Sequence, residues 1–436
     1  MPDSLDRSVL QQDPIIDSCS LHISCLCSLE PHQCLQLGRS EPIVIIMCSH
    51  NQARGSRIAS SVARVMYTNA VYFPSSRVYQ GDTPASLNYS CINRVYYAYA
   101  SIGADGSVFL SDEWADAQAP IDGVLQGALG SLIHLKQIHP HLQVILSVGG
   151  GSCSGIFPAI ASNALLRDNF ARSAFGLVEA SGLDGIDIAW EYPCSVEQGT
   201  DFIALLATLR TYFPRDQHII TAALPASEAV LQFIDFSTAA NHLNSINLMA
   251  FDFFGAWSTR SGHHSQLYAM SEIEPSASSG AAYIMSRGFP AGGLLLGIPT
   301  HGRSFLHATG AGQEFKGGGG NGGAFEYSEL PRKGCKETMD KRHISAQCVG
   351  GDGGFVTYDN PDTVKAKAAF VRQKGLGVSI YCINGMSPVV RKKTRREGTW
   401  PLTLIGQGLV YCDGPADSKE KSRSLVAAGF RALHSS

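Results

Sequence analysis

From about Arg64 onward, short apolar runs of four to six residues alternate with longer amphipathic segments. This alternation is typical of repeated strand–helix units around a parallel sheet. An eighth strand would close such a sheet into a barrel, and the 436 residues provide enough chain for it. We therefore predict a (β/α)8 TIM barrel of the α/β class over residues 64–436. Seven runs qualify as strands, at residues 65–68, 94–99, 143–147, 185–190, 218–221, 245–249 and 293–297.

Residues 304–358 interrupt the rhythm and end in a short strand-like run, 355–358. We predict a small α+β insertion here, between strands seven and eight. The adjacent His263 and His264 are expected in a solvated loop. A nucleotide-binding α/β fold is the competing class, and it is set aside because no G-x-G-x-x-G motif follows the first run.

The eighth strand is the irregular part of the pattern. Residues 378–407 contain a basic run, 391–396, and have no clear place in a barrel. They are open to three interpretations: a solvated loop, a nuclear-targeting patch, or a translated intron, since Val-Ser is what a typical intron start encodes. We favour the intron. Its removal joins Gly377 to Gly408 and leaves an ordinary Gly-led strand at residues 408–411.

Residues 1–60 do not continue the strand–helix pattern, and we expect a disordered leader. Five of the 12 cysteines lie in the first 48 residues, and Cys25 and Cys27 with His22 and His32 raise the alternative of a zinc site. The leader is favoured because the Cys-x2-Cys repeats of zinc modules are absent. No apolar segment follows a basic start, so we expect an intracellular protein, with secretion as the alternative if the N-terminus is misassigned.

Charge and hydropathy exclude two classes of partner. The chain has 34 Lys+Arg against 37 Asp+Glu, and the net charge of -3 gives no field that would gather nucleic acid. No stretch reaches the roughly 18 consecutive apolar residues that a membrane span needs. We therefore expect a monomer with a neutral substrate, and neither nucleic acid nor a membrane as partner.

The fourth run carries two carboxylates on one face. Side chains alternate along a strand, so Asp187, Ala189 and Glu191 point the same way, which in a parallel barrel is into the interior. Burying a carboxylate without a function is costly, and active sites of such barrels lie at the carboxyl ends of the strands. Glu191 is therefore the first candidate for a catalytic group.

The residues around Glu191 resemble a known signature. Residues 183–193, Leu-Asp-Gly-Ile-Asp-Ile-Ala-Trp-Glu-Tyr-Pro, resemble the active-site strand of family 18 chitinases, D-G-x-D-x-D-W-E. Residues 147–150, 249–252 and 297–303 resemble further strand ends of the same family. The likeness extends from about Arg64 to the C-terminus and is closest to the fungal-type enzymes.

The resemblance implies a retaining, substrate-assisted glycosidase. Glu191 would protonate the glycosidic oxygen of β-1,4-linked N-acetylglucosamine in chitin or chitooligosaccharides. The acetamido carbonyl of the sugar would attack the anomeric carbon, with Asp187 and Asp252 as the accompanying carboxylates. Neither a metal nor a cofactor is implied.

The sequence departs from the family pattern where the acetamido group is held. Ala189 stands in place of the aspartate that binds the acetamide N–H, and Phe251 in place of the tyrosine that holds its oxygen. His301 replaces another tyrosine, and, once residues 378–407 are removed, Cys412 takes the place of the tryptophan beneath the sugar. Losing one preorganised hydrogen bond costs about 10²- to 10³-fold in turnover. We therefore expect turnover at least about 10³-fold slower than in active relatives. The missing carboxylate also removes one cause of a raised pKa on Glu191.

Three functions follow from this pattern. The preferred one is a strongly impaired chitinase, the second is a chitin-binding, lectin-like protein of little or no activity, and the third is the poorly folding product of a decaying gene. The sugar groove that the resemblance implies would be lined by Tyr67, Tyr97, Tyr99, Met249, Phe251, Trp257, Arg303 and Cys412.

Overall fold

Eight parallel strands form a closed barrel. The computed structural model describes residues 67–121, 125–351, 353–382 and 423–434, all within the compact unit Ala63–Ser436. Consecutive strands pair in parallel around the barrel, and β8 pairs back to β1. The predicted (β/α)8 fold is confirmed. The strands are β1 Thr68–Pro74, β2 Arg94–Ile102, β3 Gln143–Gly149, β4 Gly185–Ala189, β5 Ile219–Pro225, β6 Ser245–Met249, β7 Leu294–Pro299 and β8 Val378–Cys382.

Helices follow the strands and surround the barrel. Their ends carry the usual signals: the Asn360 side chain accepts the backbone N–H of Thr363 ahead of the last helix before β8, and Gly375, at a φ of 66°, ends that helix. None of the described helices has both the length and the apolar character to cross a membrane. The helices are α1 Gly127–Ile138, α2 Phe157–Ser162, α3 Ala164–Ala180, α4 Val196–Tyr212, α5 Glu228–Leu231, α6 Phe236–His242, α7 Ala277–Ser286, α8 Pro361–Lys374 and α9 Leu425–His434.

Shorter elements lie in the connections. A π-helical turn at Trp114–Gln118 and the short strand Val108–Leu110, antiparallel to β2, follow the second barrel strand. A two-stranded ribbon joins Pro120–Ile121 to Leu125–Gln126. The 3-10 turns are Ser75–Gln80, Pro84–Ser86, Ser154–Ile156, Ala291–Gly293 and Tyr327–Glu329.

The segment between β7 and β8 forms a second sheet, as the interrupted pattern predicts. It begins at His301, directly after β7, and contains five antiparallel strands. His301–Phe305 lies between Ala324–Glu326 and Phe355–Tyr358, and Ser345–Val349 and Thr338–Asp340 continue the sheet. The insertion therefore starts at the carboxyl end of a barrel strand and places its first residues beside the barrel mouth.

The prediction for strand eight is wrong in position. The structure forms β8 from Val378–Cys382, hydrogen-bonded to β1 on one side and to β7 on the other. This strand follows Gly377 without interruption, because the segment itself begins with residues that suit an extended conformation. Residues 408–411, the expected strand, lie outside the described residues, as do 383–407 and 1–66. The intron and leader interpretations stay predictions.

The strand before the site is held by an aromatic cluster on its outer face. Trp190, which follows β4 directly, is buried and stacks on Phe157 with ring centroids 5.4 Å apart. Phe202 of α4 meets its other side edge to face. Because neighbouring side chains of an extended chain point to opposite faces, this outward packing of Trp190 directs Ala189 and Glu191 inward.

Candidate active site

A cavity of about 710 Å³ opens at the carboxyl ends of the barrel strands. Its floor and walls come from the ends of β1, β4, β5 and β6 and from the first strand of the insertion. Cavities at this end of a TIM barrel are where substrates bind. The side chains that line the cavity include Tyr72, Tyr99, Ala189, Glu191, Tyr192, Met249, Phe251, Asp252, His301 and Arg303.

Asp187 lies beneath the cavity and is fully buried. Its Oδ2 accepts hydrogen bonds from Tyr72 at 2.9 Å and Ser147 at 2.7 Å, and its Oδ1 from Thr221 at 2.6 Å and Asn247 at 3.2 Å. Burial raises the pKa of Asp187, although these donors act in the opposite direction. Asp187 is therefore a buried polar anchor that joins β4 to four other barrel strands.

Ala189 follows on the same face and leaves a gap in the line of carboxylates. It belongs to the last residues of β4 and contributes only a methyl group to the cavity wall. Nothing at this position can accept a hydrogen bond from a ligand. The buried carboxyl of Asp187 is consequently separated from Glu191 by an apolar side chain.

Glu191 projects into the cavity just beyond β4. Its backbone N–H is held by Ser154 Oγ at 2.8 Å, which orients the residue. No side chain among the described residues hydrogen-bonds its carboxylate. Burial raises the pKa of Glu191, and the negative charge of Asp252 raises it further. The raised pKa thus persists without a carboxylate at position 189, because desolvation is its main cause.

Asp252 is held by three basic side chains and has a left-handed backbone, with a φ of 58°. Arg303 donates to it at 2.8 and 2.7 Å, His301 lies at 2.8 Å and His264 at 3.3 Å. Burial alone would raise the pKa of Asp252, but the charge and hydrogen bonds of these partners lower it far below its usual range. Asp252 is therefore ionised and a poor proton acceptor.

Aromatic groups complete the walls. The Phe251 ring meets the His301 ring edge to face at 6.1 Å and has no hydroxyl to offer a ligand. Trp257 is 61% exposed. Its ring lies 4.8 Å from the Arg303 guanidinium. These rings and Tyr99 provide apolar faces on which a sugar ring can pack.

The profile of the glycosyl hydrolases family 18 matches residues 68–384 of the chain. That range contains every strand of the barrel and every side chain of the cavity described above. The chain belongs to glycoside hydrolase family 18. The family resemblance drawn from residues 183–193 is thereby confirmed.

Two of the relatives that this chain resembles are fungal chitinases. The chain is 32% identical over 376 residues to Endochitinase 1 of Metarhizium robertsii, covering 80% of this chain and 86% of that protein. It is also 32% identical over 344 residues to Chitinase 1 of Aphanocladium album, covering 72% and 80%. The fungal-type likeness inferred from the sequence agrees with both.

Solved structures of family 18 share the fold. A GH18 chitinase from Cycas revoluta in complex with (GlcNAc)4 superposes with a TM-score of 0.64 and is 25% identical, with 72% of this chain and 94% of that chain covered. An immunomodulatory active chitinase from Trichuris suis gives a TM-score of 0.66 at 23% identity, with 72% and 91% covered. The second likeness is one of fold alone.

The structure brings most of the predicted family 18 site together. Glu191, Asp252, Met249, Phe251 and Arg303 line the cavity with Tyr99, and Asp187 lies beneath it. Trp257 is not among the lining residues, but its ring packs against Arg303, which is. Cys412 lies outside the described residues.

Two predicted groove residues are elsewhere. Tyr67 precedes β1, at the amino end of the barrel, where its ring meets His434 edge to face. Tyr97 is buried, and its hydroxyl hydrogen-bonds Asp116 rather than the cavity. Both assignments are corrected. Tyr67 is at the wrong end of its strand, and Tyr97 points to the outer side of β2.

Sequence reasoning missed Tyr72, Tyr192 and His264. Tyr72 lies beyond the first predicted strand, residues 65–68, because β1 runs from Thr68 to Pro74. His264 was expected in a solvated loop with His263, and that expectation is wrong, since both are buried. Alternation along a longer first strand would have found Tyr72.

Proposed function

We propose that this chain hydrolyses chitooligosaccharides slowly, with Glu191 as the general acid. The observation that supports this proposal most directly is the environment of Glu191. Its carboxyl lies in the cavity, is free of hydrogen-bond partners among the described residues, and has a pKa raised by burial. Desolvation favours the protonated form of a carboxyl, and a carboxyl that faces open space can reach a glycosidic oxygen to protonate it.

The reaction requires no nucleophile from the protein. Glu191 donates its proton to the glycosidic oxygen as the bond to the anomeric carbon breaks. The carbonyl oxygen of the substrate's acetamido group forms the new bond to that carbon, giving an oxazolinium ion. Water then adds to the anomeric carbon from the side of the departed sugar and returns a proton to Glu191, so the configuration is retained.

Slow turnover follows from what surrounds the acetamido group. Ala189 and Phe251 offer no hydrogen bond to its N–H or to its oxygen as charge develops. Asp252 is a poor substitute, because its two oxygens already accept four hydrogen bonds from Arg303, His301 and His264. The acetamido group must therefore reach its reactive position with little help from the protein.

A chitin-binding, lectin-like role is the second candidate. Tyr99 and Tyr192 line the cavity, and Trp257 offers an exposed ring against Arg303. Such surfaces bind sugar rings whether or not a bond is cleaved. The retained acid at Glu191 favours hydrolysis, since a binding protein has no need for a buried carboxyl with a raised pKa.

Two measurements on the purified full chain separate these candidates. Turnover is measured with a fluorogenic chitotriose substrate, and binding with chitotriose by calorimetry. Slow turnover together with binding supports the impaired chitinase. Binding without turnover supports the lectin-like role, and the loss of both would contradict the assignment of the cavity. Size-exclusion chromatography and cell fractionation test the expected monomer and the expected intracellular location.

A further inference from the structure

A second group of polar side chains is buried away from the cavity. His263 lies in the loop after β6, and Asp340 and His343 lie at the turn that joins the insertion strands Thr338–Asp340 and Ser345–Val349. We call these three residues the His263 cluster. Each offers a ligand atom, and the three atoms lie within 4.8 Å of one another.

Two of the three side chains of the His263 cluster are buried. The side chains of His263 and His343 are 2% and 4% exposed, while Asp340 is 28% exposed. Two buried imidazoles therefore meet one carboxylate that keeps a path to solvent. The backbone N–H of Leu267 donates to the His343 carbonyl at 2.9 Å, which joins the loop and the hairpin beside the cluster.

The two oxygens of Asp340 have separate tasks. Its Oδ1 accepts the backbone N–H groups of Arg342 at 2.9 Å and His343 at 3.2 Å, which fixes the carboxylate. Its Oδ2 faces ring nitrogens of both histidines, Nε2 of His263 at 3.3 Å and Nδ1 of His343 at 2.7 Å. One carboxylate oxygen thus lies beside one ring nitrogen of each histidine.

An outer contact orients the ring of His263. Nδ1 of His263 is 3.1 Å from Thr357 Oγ1, which in turn lies 3.0 Å from Ser345 Oγ. Nε2 of His343 is buried and has no partner among the described residues. A ring nitrogen held by a hydroxyl leaves the other nitrogen of His263 free to act as a ligand, which is the usual arrangement in metal sites.

We propose that His263, Asp340 and His343 bind a zinc ion. Two imidazole nitrogens and one carboxylate oxygen are a ligand set that zinc accepts, with water in the fourth position.

A similar trio in the active site provides the contrast. Asp252, His264 and His301 also converge within 4.8 Å. There, Arg303 occupies both oxygens of Asp252 and brings a positive charge into the same space. A cation would have to displace the guanidinium, so zinc is assigned to the His263 cluster and not to this trio.

The zinc would have a structural role. It would join the insertion hairpin to the loop whose next residue, His264, contacts Asp252 in the cavity. The site lies outside the substrate-assisted mechanism and departs from the expectation that this chain needs no metal. The proposed zinc site does not depend on the hydrolytic activity, and the two can be tested separately.

The test measures zinc on the full chain after treatment with EDTA and dialysis. Zinc content and the unfolding temperature with and without added zinc are compared for the wild type, Asp340→Asn and His343→Ala. The matched control is His218→Gln, which removes another buried histidine paired with a carboxylate, Glu179. We expect the wild type and the control to bind one more zinc equivalent than the two cluster variants. Added zinc should raise the unfolding temperature of the wild type and the control by several degrees, and leave that of the cluster variants unchanged.

Equal zinc content in the wild type and the cluster variants would overturn the site, because the metal would then be bound elsewhere, for example by the N-terminal cysteines. If a cluster variant fails to fold, the absorption spectrum of the cobalt-substituted wild type tests the site instead. Ligand-field bands of a four-coordinate nitrogen and oxygen site support the proposal. Thiolate charge-transfer absorption, or failure to bind cobalt, contradicts it.

Discussion

Arg303 meets Asp252 through two parallel hydrogen bonds, from Nε to Oδ1 at 2.8 Å and from Nη2 to Oδ2 at 2.7 Å. Such bidentate pairs are stronger and more directional than single contacts. Trp257 covers the guanidinium, and His301 approaches the same carboxylate. Asp252 is therefore an ionised anchor of the cavity wall rather than a proton carrier.

We expect Arg303→Met to lower the free energy of unfolding by about 2 kcal/mol, because it leaves a largely buried carboxylate without its main partner. Arg303→Lys should lower the free energy of unfolding by less, since the lysine keeps one charged contact. The control is Arg287→Met, at an exposed arginine that lies over Tyr283 and should change stability by less than about 0.5 kcal/mol. Urea unfolding measures all three, and equal losses at both positions would contradict the role of the pair.

Glu191→Gln should abolish the residual turnover of chitotriose substrates while leaving chitotriose affinity within a few-fold. The amide keeps the shape of the side chain but has no proton to donate at the glycosidic oxygen. Steady-state rates and calorimetry on the same preparations provide the two readouts. Unchanged turnover would mean that another group is the acid.

Ala189→Asp and Phe251→Tyr together should raise turnover by more than the sum of the single effects in free energy. Both introduced groups position one acetamido group, and neither can hold it alone. The comparison is made in the full chain, because β8 begins at Val378. A double mutant as slow as the parent that still binds chitotriose would favour the lectin-like role.

The Ala189→Asp change should also move the alkaline limb of the rate profile to higher pH. Glu191 must be protonated to act, so turnover falls as pH rises through its pKa. A new carboxylate between Asp187 and Glu191 raises that pKa by charge repulsion and shared protonation. Rates of the single mutant across pH measure the limb, and a limb that stays in place would show that the new carboxylate does not interact with Glu191.

Asp187→Asn should change the pH dependence of stability in a defined direction. The pKa of Asp187 is raised above the ordinary 3.8, so the folded state holds a proton that the unfolded state releases. Stability from this group is present below about pH 4 and is lost as pH rises toward the folded pKa. The stability of Asp187→Asn relative to wild type should therefore increase with pH above that point. Urea unfolding at several pH values measures it, with Asp216→Asn, at an exposed aspartate, as the control for the loss of a carboxylate alone.

Deleting residues 378–407 should sharply reduce soluble yield, whereas deleting 383–407 should be tolerated. The first deletion removes β8, which closes the barrel between β1 and β7. Expression and circular dichroism of both deletions are the measurement. If both fold equally well, residues 408–411 have taken the place of β8, as the intron interpretation predicts.

The barrel and the line of side chains at its centre can be predicted from local sequence patterns. Parallel strands alternate with helices, and alternation along β4 requires Asp187, Ala189 and Glu191 to face inward whatever the rest of the chain does. Both follow from local periodicity, which is readable over a few residues. The replacement at Ala189 is visible in the same way.

The contacts between residues far apart in the sequence depend on how the chain packs in three dimensions. Asp252 is ionised because Arg303, 51 positions away, lies against it. His263 and Asp340, 77 positions apart, share a buried cluster that replaces the expected solvated loop. Burial and the pairing of charges depend on how the insertion folds over the barrel mouth, and no local pattern in the sequence encodes that packing.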